Sequence, residues 1–300
     1  MKKRNISIGV VITTISGREK MLMDCVNSVL ANTVAADEIF IIAGKNSSLS
    51  LPARVKILRE SLDSLSEKQN YAVQRLSSEV ILFTDDDCIV SKDWIKSIKS
   101  AFIIHPSVGG IFGPVKAGFK QGENRRCPSI FVKTKNNIFD KPQVHQDIGS
   151  GNNMAFRREI FTMLGGFKNW LGSGTMVHSC GDAEMIVRML GNGYKIMYLN
   201  SDNLVFHLRK LTDIQYQKFE LEYLLGDTAC YSYFIWIYPF AFKRVFNRWQ
   251  INLWRYLHGI KKLLLGKKEE SWHSIGYGLQ ETVVLCRGMI VGFYHGLIEI

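Results

Sequence analysis

Along the first 115 residues the apolar positions switch between two periods. Residues 6–13 predict a strand, and Leu22, Cys25, Val26, Val29 and Leu30 then recur at helical spacing within 19–31. A second strand is expected at 38–42 and a third at 55–58. Ser64 with Glu67 three residues on makes a capping box, opening a helix that runs to about Leu76. The unbroken run Val80-Ile81-Leu82-Phe83-Thr84 predicts a strand buried on both faces. Ser91 is placed to cap a helix whose inner face is Trp94, Ile95, Ile98, Ala101 and Phe102, and 108–115 is again extended. Strand and helix in alternation mean an α/β fold, a mainly parallel sheet flanked by helices. Ligands are then expected beyond the carboxyl ends of the strands.

The pattern weakens over 116–146, which is polar and reads as a loop-rich excursion. Order returns at 148–156, followed by a short helix over 157–164, a glycine-rich loop over 165–181, a helix to Leu190, and strands at 194–199 and 203–206. Beyond His207 the pattern is helical to the end, so the expected division is 1–210 and 211–300.

Composition adds three constraints. With 300 residues, 46% of them hydrophobic, the chain can bury a full core. The six cysteines are scattered without a Cys-x-x-Cys pair, which points to neither a zinc site nor a disulfide framework and suits a reducing compartment. The basic start, Met1 to Asn5, is followed by an apolar stretch that ends by Thr13, which fits a first strand and not a signal peptide. No segment holds eighteen uninterrupted apolar residues; the best, 283–298, is broken by Arg287 and His295.

The net charge of +11 is concentrated. Residues 241–268 carry Lys243, Arg244, Arg248, Arg255, Lys261, Lys262, Lys267 and Lys268 with no acid, interleaved with Phe242, Phe246, Trp249, Trp254 and Tyr256. Basic and aromatic residues mixed on a helix suit an anionic membrane surface. Nucleic acid or an ordinary solvated face are the alternatives.

The candidate chemistry centres on Asp85-Asp86-Asp87, which stand where the fourth strand leaves the sheet. Alternation along an extended chain puts Asp85 and Asp87 on one face and turns Asp86 away. At about 4 Å and an effective dielectric near 20, each like-charged pair costs ~4 kcal/mol. A divalent cation would reverse that sign, whereas a solvated acidic turn would only dilute it.

Other segments fall into order around the triplet: Val10-Val11-Ile12-Thr13-Thr14 before it, then Gly151-Asn152-Asn153-Met154-Ala155-Phe156-Arg157-Arg158, Leu164-Gly165-Gly166-Phe167, Gly181-Asp182-Ala183-Glu184 and Val205-Phe206-His207. In order and spacing this resembles the family-2 glycosyltransferases of the Rossmann-like GT-A fold, over about residues 5 to 210. The resemblance implies a metal-dependent, inverting transferase that uses a nucleotide-sugar, with a UDP-sugar as first expectation. It implies Mn²⁺ or Mg²⁺ held by Asp87, Asp85 and His207, and nucleotide contacts from Asp85, Asp86, Thr13, Thr14, Arg18 and Lys68. Asn152 and Asn153 would orient the donor sugar or diphosphate, and Asp182 would be the catalytic base.

Ser179 with Asp182 also forms a capping box, which is compatible with that role. Glu184 and Arg188 fit an ordinary ion pair on a helix surface. Leu171-Gly172-Ser173-Gly174-Thr175 also resembles a loop that borders the acceptor site in a subset of the family; its glycines suggest mobility, and an ordinary flexible loop is the alternative.

The chain departs from the family at Ala43-Gly44-Lys45-Asn46, where base-reading aspartates are common, at Gln69, where an arginine is frequent, and at Gly181, usually an acid. Together these features predict a cytoplasmic enzyme held peripherally at the inner face of a membrane, acting on a lipid-linked or polysaccharide acceptor, without nucleic acid. A sugar-phosphate nucleotidyltransferase or a non-catalytic basic module are the rivals.

Overall fold

The computed structural model describes residues 5–45 and 49–299. The chain divides into two compact units, one of residues 1–169 and 181–216, the other of 170–180 and 217–300. The first unit contains β1 (Ile8–Thr13), α1 (Glu19–Leu30), β2 (Glu38–Ala43), β3 (Lys56–Arg59), α2 (Leu65–Val73), β4 (Val80–Asp85), β5 (Cys88–Val90), α3 (Trp94–Ile104), β6 (Val108–Phe112), β7 (Val115–Ala117), β8 (Asn137–Phe139), β9 (Met154–Arg157), α4 (Arg158–Leu164), α5 (Gly181–Gly191), β10 (Lys195–Tyr198) and β11 (Val205–His207). Eight strands form one sheet in the order β3-β2-β1-β4-β9-β6-β10-β8. Pairs β1–β2, β1–β4, β2–β3 and β6–β10 are parallel; β9 runs antiparallel between β4 and β6, and β8 is antiparallel on β10. The fold is the expected α/β architecture.

The unbroken apolar runs have a simple cause. Val10, Ile12, Val80 and Leu82 enter a core layer with Leu22, Val26, Ile98 and Phe102, while Val11, Ile81 and Phe83 enter the opposite layer with Phe112, Phe156 and Ile186. Both faces of the sheet are covered, so alternation of side chains leaves no polar side. In the second layer the rings of Phe83, Phe156, Phe161 and Phe167 stand edge-on or tilted, 5.4 to 6.2 Å apart. The capping box of α2 is present: Glu67 N–H donates to Ser64 Oγ and Ser64 N–H to Glu67 Oε2, both at 3.1 Å.

Two local expectations change. Ser91 does not cap α3; its hydroxyl donates to the Asp202 carbonyl, and Asp93 takes the cap position without a side-chain bond to the helix. The extended stretch 108–115 is split in two. Pro114 has no N–H for a ladder, and a Cβ on Gly113 would overlap the side chains of Asn153 and Asn203. The chain therefore leaves the large sheet at Phe112 and re-pairs as β7 in a three-stranded sheet, β5-β11-β7. In that sheet His207 lies opposite Cys88 and beside Ala117.

The second unit holds most of α6 (Asp213–Tyr233), with α7 (Pro239–Leu264) and α8 (Lys268–Ile298). A left-handed Gly266 turns α7 into α8. Glycines let α8 lie close to α6: a Cβ on Gly288 would stand 2.9 Å from the Leu225 carbonyl oxygen. The basic run of α7 is half neutralised by its neighbours. Arg244 and Arg248 both reach the buried Asp227 carboxylate, at 3.1 and 3.0 Å, Arg255 pairs with Glu281, and Lys262 lies 2.9 Å from Glu270. Taken as a whole helix, α8 is long and apolar enough to cross a membrane by length and composition, although charged residues interrupt its apolar run.

Candidate active site

β4 delivers Asp85 to its carboxyl end, opposite Thr13 of β1 in the sheet register. Thr13 is itself buried. The alternation expected through the triplet stops there, because Asp86 and Asp87 form the turn into β5. Asp86 does not face away. It accepts hydrogen bonds from Thr14 Oγ1 at 2.7 Å and Arg18 Nη1 at 2.8 Å, and the same guanidinium nitrogen lies 3.2 Å from Asp87. Lys68, buried on α2, donates from Nζ to the Thr14 carbonyl at 3.3 Å, and burial holds its pKa below the usual lysine range. Thr14, Arg18, Lys68 and the triplet therefore form one cluster.

The cluster is overfilled with negative charge. Burial, then Asp87 and Asp86, pushes the Asp85 carboxyl up to about 8, and burial also raises Asp86 against the pull of Arg18.

His207 arrives on β11 with Nε2 3.5 Å from Asp87 Oδ1, and Cys88 Sγ completes a buried trio whose donor atoms lie within 4.8 Å of one another. The expected set was Asp87, Asp85 and His207. In the structure the third member of the tight trio is Cys88, and the Asp85 carboxylate accepts a hydrogen bond from Asn152 Nδ2. Cys88 was overlooked in the sequence, where its only signal is that it follows the triplet. Burial lifts its thiol well above the usual range, so it is a weaker donor than the carboxylate and imidazole beside it.

Burial keeps His207 neutral by lowering its pKa against the pull of Asp87, and its Nδ1 accepts the Arg209 N–H at 3.3 Å. Hard carboxylate oxygens, a neutral imidazole and surplus negative charge fit a divalent cation of the Mg²⁺ or Mn²⁺ type.

Asn152 and Asn153 sit together on the 3-10 turn Gly151–Asn153 that feeds β9, and they do different work. Asn152 donates from Nδ2 to Asp85, while its Oδ1 accepts from Ser129 at 2.7 Å and Ser150 at 2.8 Å. Asn153 points into the protein. Its Oδ1 accepts from Trp94 Nε1 at 2.9 Å and its amide nitrogen donates to the carbonyls of Pro114 and Asn203, so its polar groups are occupied in pinning the β6–β7 break. The expectation that both asparagines face a donor is corrected for Asn153, which is 1% exposed.

Asp182 is the second residue of α5 and accepts the Ala183 N–H at 2.9 Å. Gly151 makes room for it: a Cβ there would stand 3.2 Å from Asp182 Oδ2. The path Asp182–Gly151–Asn152–Asp85 thus places the base candidate beside the triplet. The capping box expected from Ser179 is not formed, since that hydroxyl donates to the Glu222 carbonyl at 3.4 Å. His178 and Cys180 instead take left-handed backbone conformations, φ 61° and 71°, just before α5.

Glu184 is not on a surface. It is fully buried and receives Arg188 through two bonds of 2.7 and 2.8 Å, while Arg188 also donates to the carbonyls of Leu164 and Gly166. The pair ties α5 to the end of α4. The loop expected to be mobile is cross-tied, with Gly172 N–H donating to the Ser179 carbonyl at 3.0 Å; Gly172 and Gly174 serve positive φ. Ala43 ends β2 and Gly44 follows it, while Asn46 lies outside the described residues.

Residues 10–165 match the sequence model of the family described as Glycosyl transferase family 2. No curated protein matches the chain. Among solved structures it is similar to the mannosyltransferase PcManGT from Pyrobaculum calidifontis in complex with GDP-Man and Mn²⁺: TM-score 0.56, 13% identity, covering 94% of this chain and 88% of that one. It is also similar to S. aureus TarS 1-349 (TM-score 0.50, 15% identity, 75% of this chain and 72% of that one) and to GalNAc-T7 with UDP, GalNAc and Mn²⁺ (TM-score 0.52, 16% identity, 77% and 51%). At these identities the likeness carries the fold.

Proposed function

The chain belongs to glycosyl transferase family 2, and from that premise we propose that it transfers a sugar with inversion from a nucleotide-diphosphate donor to a hydroxyl of a lipid-linked or polysaccharide acceptor. The observation that carries this is the placement of Asp182, through Gly151 and Asn152, beside the acidic cluster at the carboxyl end of β4. Asp182 takes the proton of the attacking hydroxyl. Asp87 and His207 would hold a divalent cation with Asp85 close by, and such a cation supplies countercharge to a leaving diphosphate. Arg18 and Lys68 add fixed positive charge on the same side, and Asn152 holds the Asp85 carboxylate in place. Similar structures hold GDP-Man in one case and UDP in another, so both bases belong in the test.

The test is a screen of nucleotide-sugars with Mn²⁺, reading nucleoside diphosphate release. One or a few donors should be consumed, and chelation should stop the release. Pyrophosphate release from a nucleoside triphosphate, with no donor consumed, would overturn the reading in favour of nucleotidyl transfer.

The same proposal places the protein at the cytoplasmic face of a membrane. Support comes from α7, where Phe242, Phe246, Leu253, Leu257, Ile260 and Leu264 are exposed at helical spacing. Lys243, Lys261 and Lys268, none of them in an ion pair among the described residues, are exposed alongside. An apolar stripe edged with lysine suits anionic lipid. Exchanging the exposed Leu253 and Leu257 together for glutamate should reduce co-sedimentation with anionic vesicles by about tenfold or more. Undiminished binding by that double variant counts against this face.

A further inference from the structure

α8 has two faces, and its neighbours cover one of them. Gly278 and Gly292 face inward: a Cβ on Gly292 would overlap the Ala229 carbonyl oxygen of α6, and one on Gly278 would stand 3.3 Å from the Tyr256 ring of α7. The outer face carries Trp272, Leu279, Val283, Cys286, Ile290 and Leu297, separated by 7, 4, 3, 4 and 7 residues. Steps of three and four, or of seven, bring all six into one seam along the helix, as in a coiled coil. Five of them are 57 to 76% exposed, Cys286 is exposed as well, and Tyr294 flanks the seam. Together they expose on the order of 800 Å² of mostly apolar surface. That exceeds the ~300–600 Å² of the largest patch on a typical monomer and equals the ~800 Å² that each partner gives to a standard protein interface.

We infer that this seam pairs with the same seam of a second copy of the chain, forming a parallel, two-fold dimer through α8. Two observations select that occupant over lipid. No lysine follows Lys268, and the formal charges of 271–298 are Glu281 and Arg287 alone, so the seam lacks the lysine edging that suits α7 to anionic headgroups. Threading α8 through a bilayer would instead place Arg287 and the Arg255–Glu281 pair near the middle of the hydrocarbon, where charge is costly. A protein seam demands neither. The residue types also set the pairing. Val283 and Ile290 fall at the a positions of the heptad and Leu279 at d, and β-branched a residues with leucine at d favour two parallel strands. The contact is self-complementary, so it closes at two copies.

The test uses the full chain in aqueous buffer, with neither lipid nor nucleotide-sugar. Sedimentation equilibrium at micromolar concentration should give twice the mass of the chain. Ile290→Glu, which puts a charge into the seam, should raise the dissociation constant about a hundredfold or more. Leu253→Glu with Leu257→Glu, on α7, should leave the dimer mass unchanged. Mild oxidation with diamide, which accepts the two electrons and two protons that a pair of thiols gives up, should join copies through Cys286, since the other five cysteines are buried. Cys286→Ser should abolish the link. Leu279→Cys in that background should restore it, because in the parallel register Leu279 also lies opposite its own counterpart.

A monomeric mass at the highest soluble concentration would overturn the inference, as would a dimer that Ile290→Glu leaves as tight as wild type. A dimer that Leu279→Cys does not link would overturn the parallel pairing and the assignment with it. A monomer whose co-sedimentation with anionic vesicles falls on Ile290→Glu would overturn it in favour of lipid on this face. Leu279, Cys286 and Ile290 are all exposed, so these variants leave the core intact and the test decisive. Because the dimer is read without donor or acceptor, its failure leaves sugar transfer standing, and failure of the donor screen leaves the dimer standing.

Discussion

Asp182→Asn should lower the rate of sugar transfer by about 10²- to 10⁴-fold, the usual worth of a positioned general base, while donor affinity stays within a factor of two or so. The geometry makes this exchange a clean one. Asparagine keeps the side chain's volume and can still accept the Ala183 N–H through its carbonyl oxygen. The close fit against Gly151 is likewise preserved. What is lost is the ability to take a proton from the acceptor. The loss should therefore fall on kcat and not on donor binding, which a fluorescence or calorimetric titration with the nucleotide-sugar would verify. Transfer at the wild-type rate would remove Asp182 from the mechanism, and loss of donor binding would show that it serves the cluster instead.

Glu184→Ala should cost about 3 to 5 kcal/mol of folding stability, the range for removing one partner of a buried ion pair. Glu184 is fully buried and the Arg188 side chain is 12% exposed, so the guanidinium would be left without its counter-ion in a place water hardly reaches. Its remaining bonds, to the carbonyls of Leu164 and Gly166, are those that close the end of α4. Urea denaturation would measure the effect, and a change below about 1 kcal/mol would mean that water enters the pair. Replacing both partners at once, Glu184→Leu with Arg188→Met, should recover much of the loss, because the charge and its compensation leave together.

That pair also marks where sequence and structure part. Spacing of four residues correctly predicts that Glu184 and Arg188 meet, but spacing is silent on depth. Burial here follows from α5 packing Met185, Ile186 and Met189 into the second core layer. The βαβ order and the capping box of Ser64 were legible because each depends on local pattern, whereas Thr14, Arg18 and Lys68 were drawn to one site only by the family resemblance. Asn153 was misread because two adjacent asparagines in a turn look equivalent in one dimension, whereas the turn sends one to Asp85 and the other to Trp94. Cys88 went unnoticed because its partner is 119 positions away, brought opposite by an antiparallel pairing of two three-residue strands. The basic run of α7 was read as one cationic face, but its acids come from α6 and α8, which no window along α7 contains.

The glycines behave in the same way. Gly165 ends α4 in a left-handed conformation, and Gly166 lets Asn70 close on the Phe167 backbone, donating to its carbonyl and accepting its N–H, both at 2.8 Å. The motif Leu164-Gly165-Gly166-Phe167 is thus a fastening that seats Phe167 among the aromatic rings.

β9 has one further consequence. Ala155 is paired with Leu82 on one side and Ile111 on the other, so the strand is locked at both edges. A single deletion or insertion between 150 and 157 would have to break both ladders or carry the wrong asparagine to Asp85. Side chains in this stretch can be exchanged one at a time, but its length cannot drift. As the chain diverges, gaps should accumulate elsewhere and leave this segment the same length in every descendant that still works.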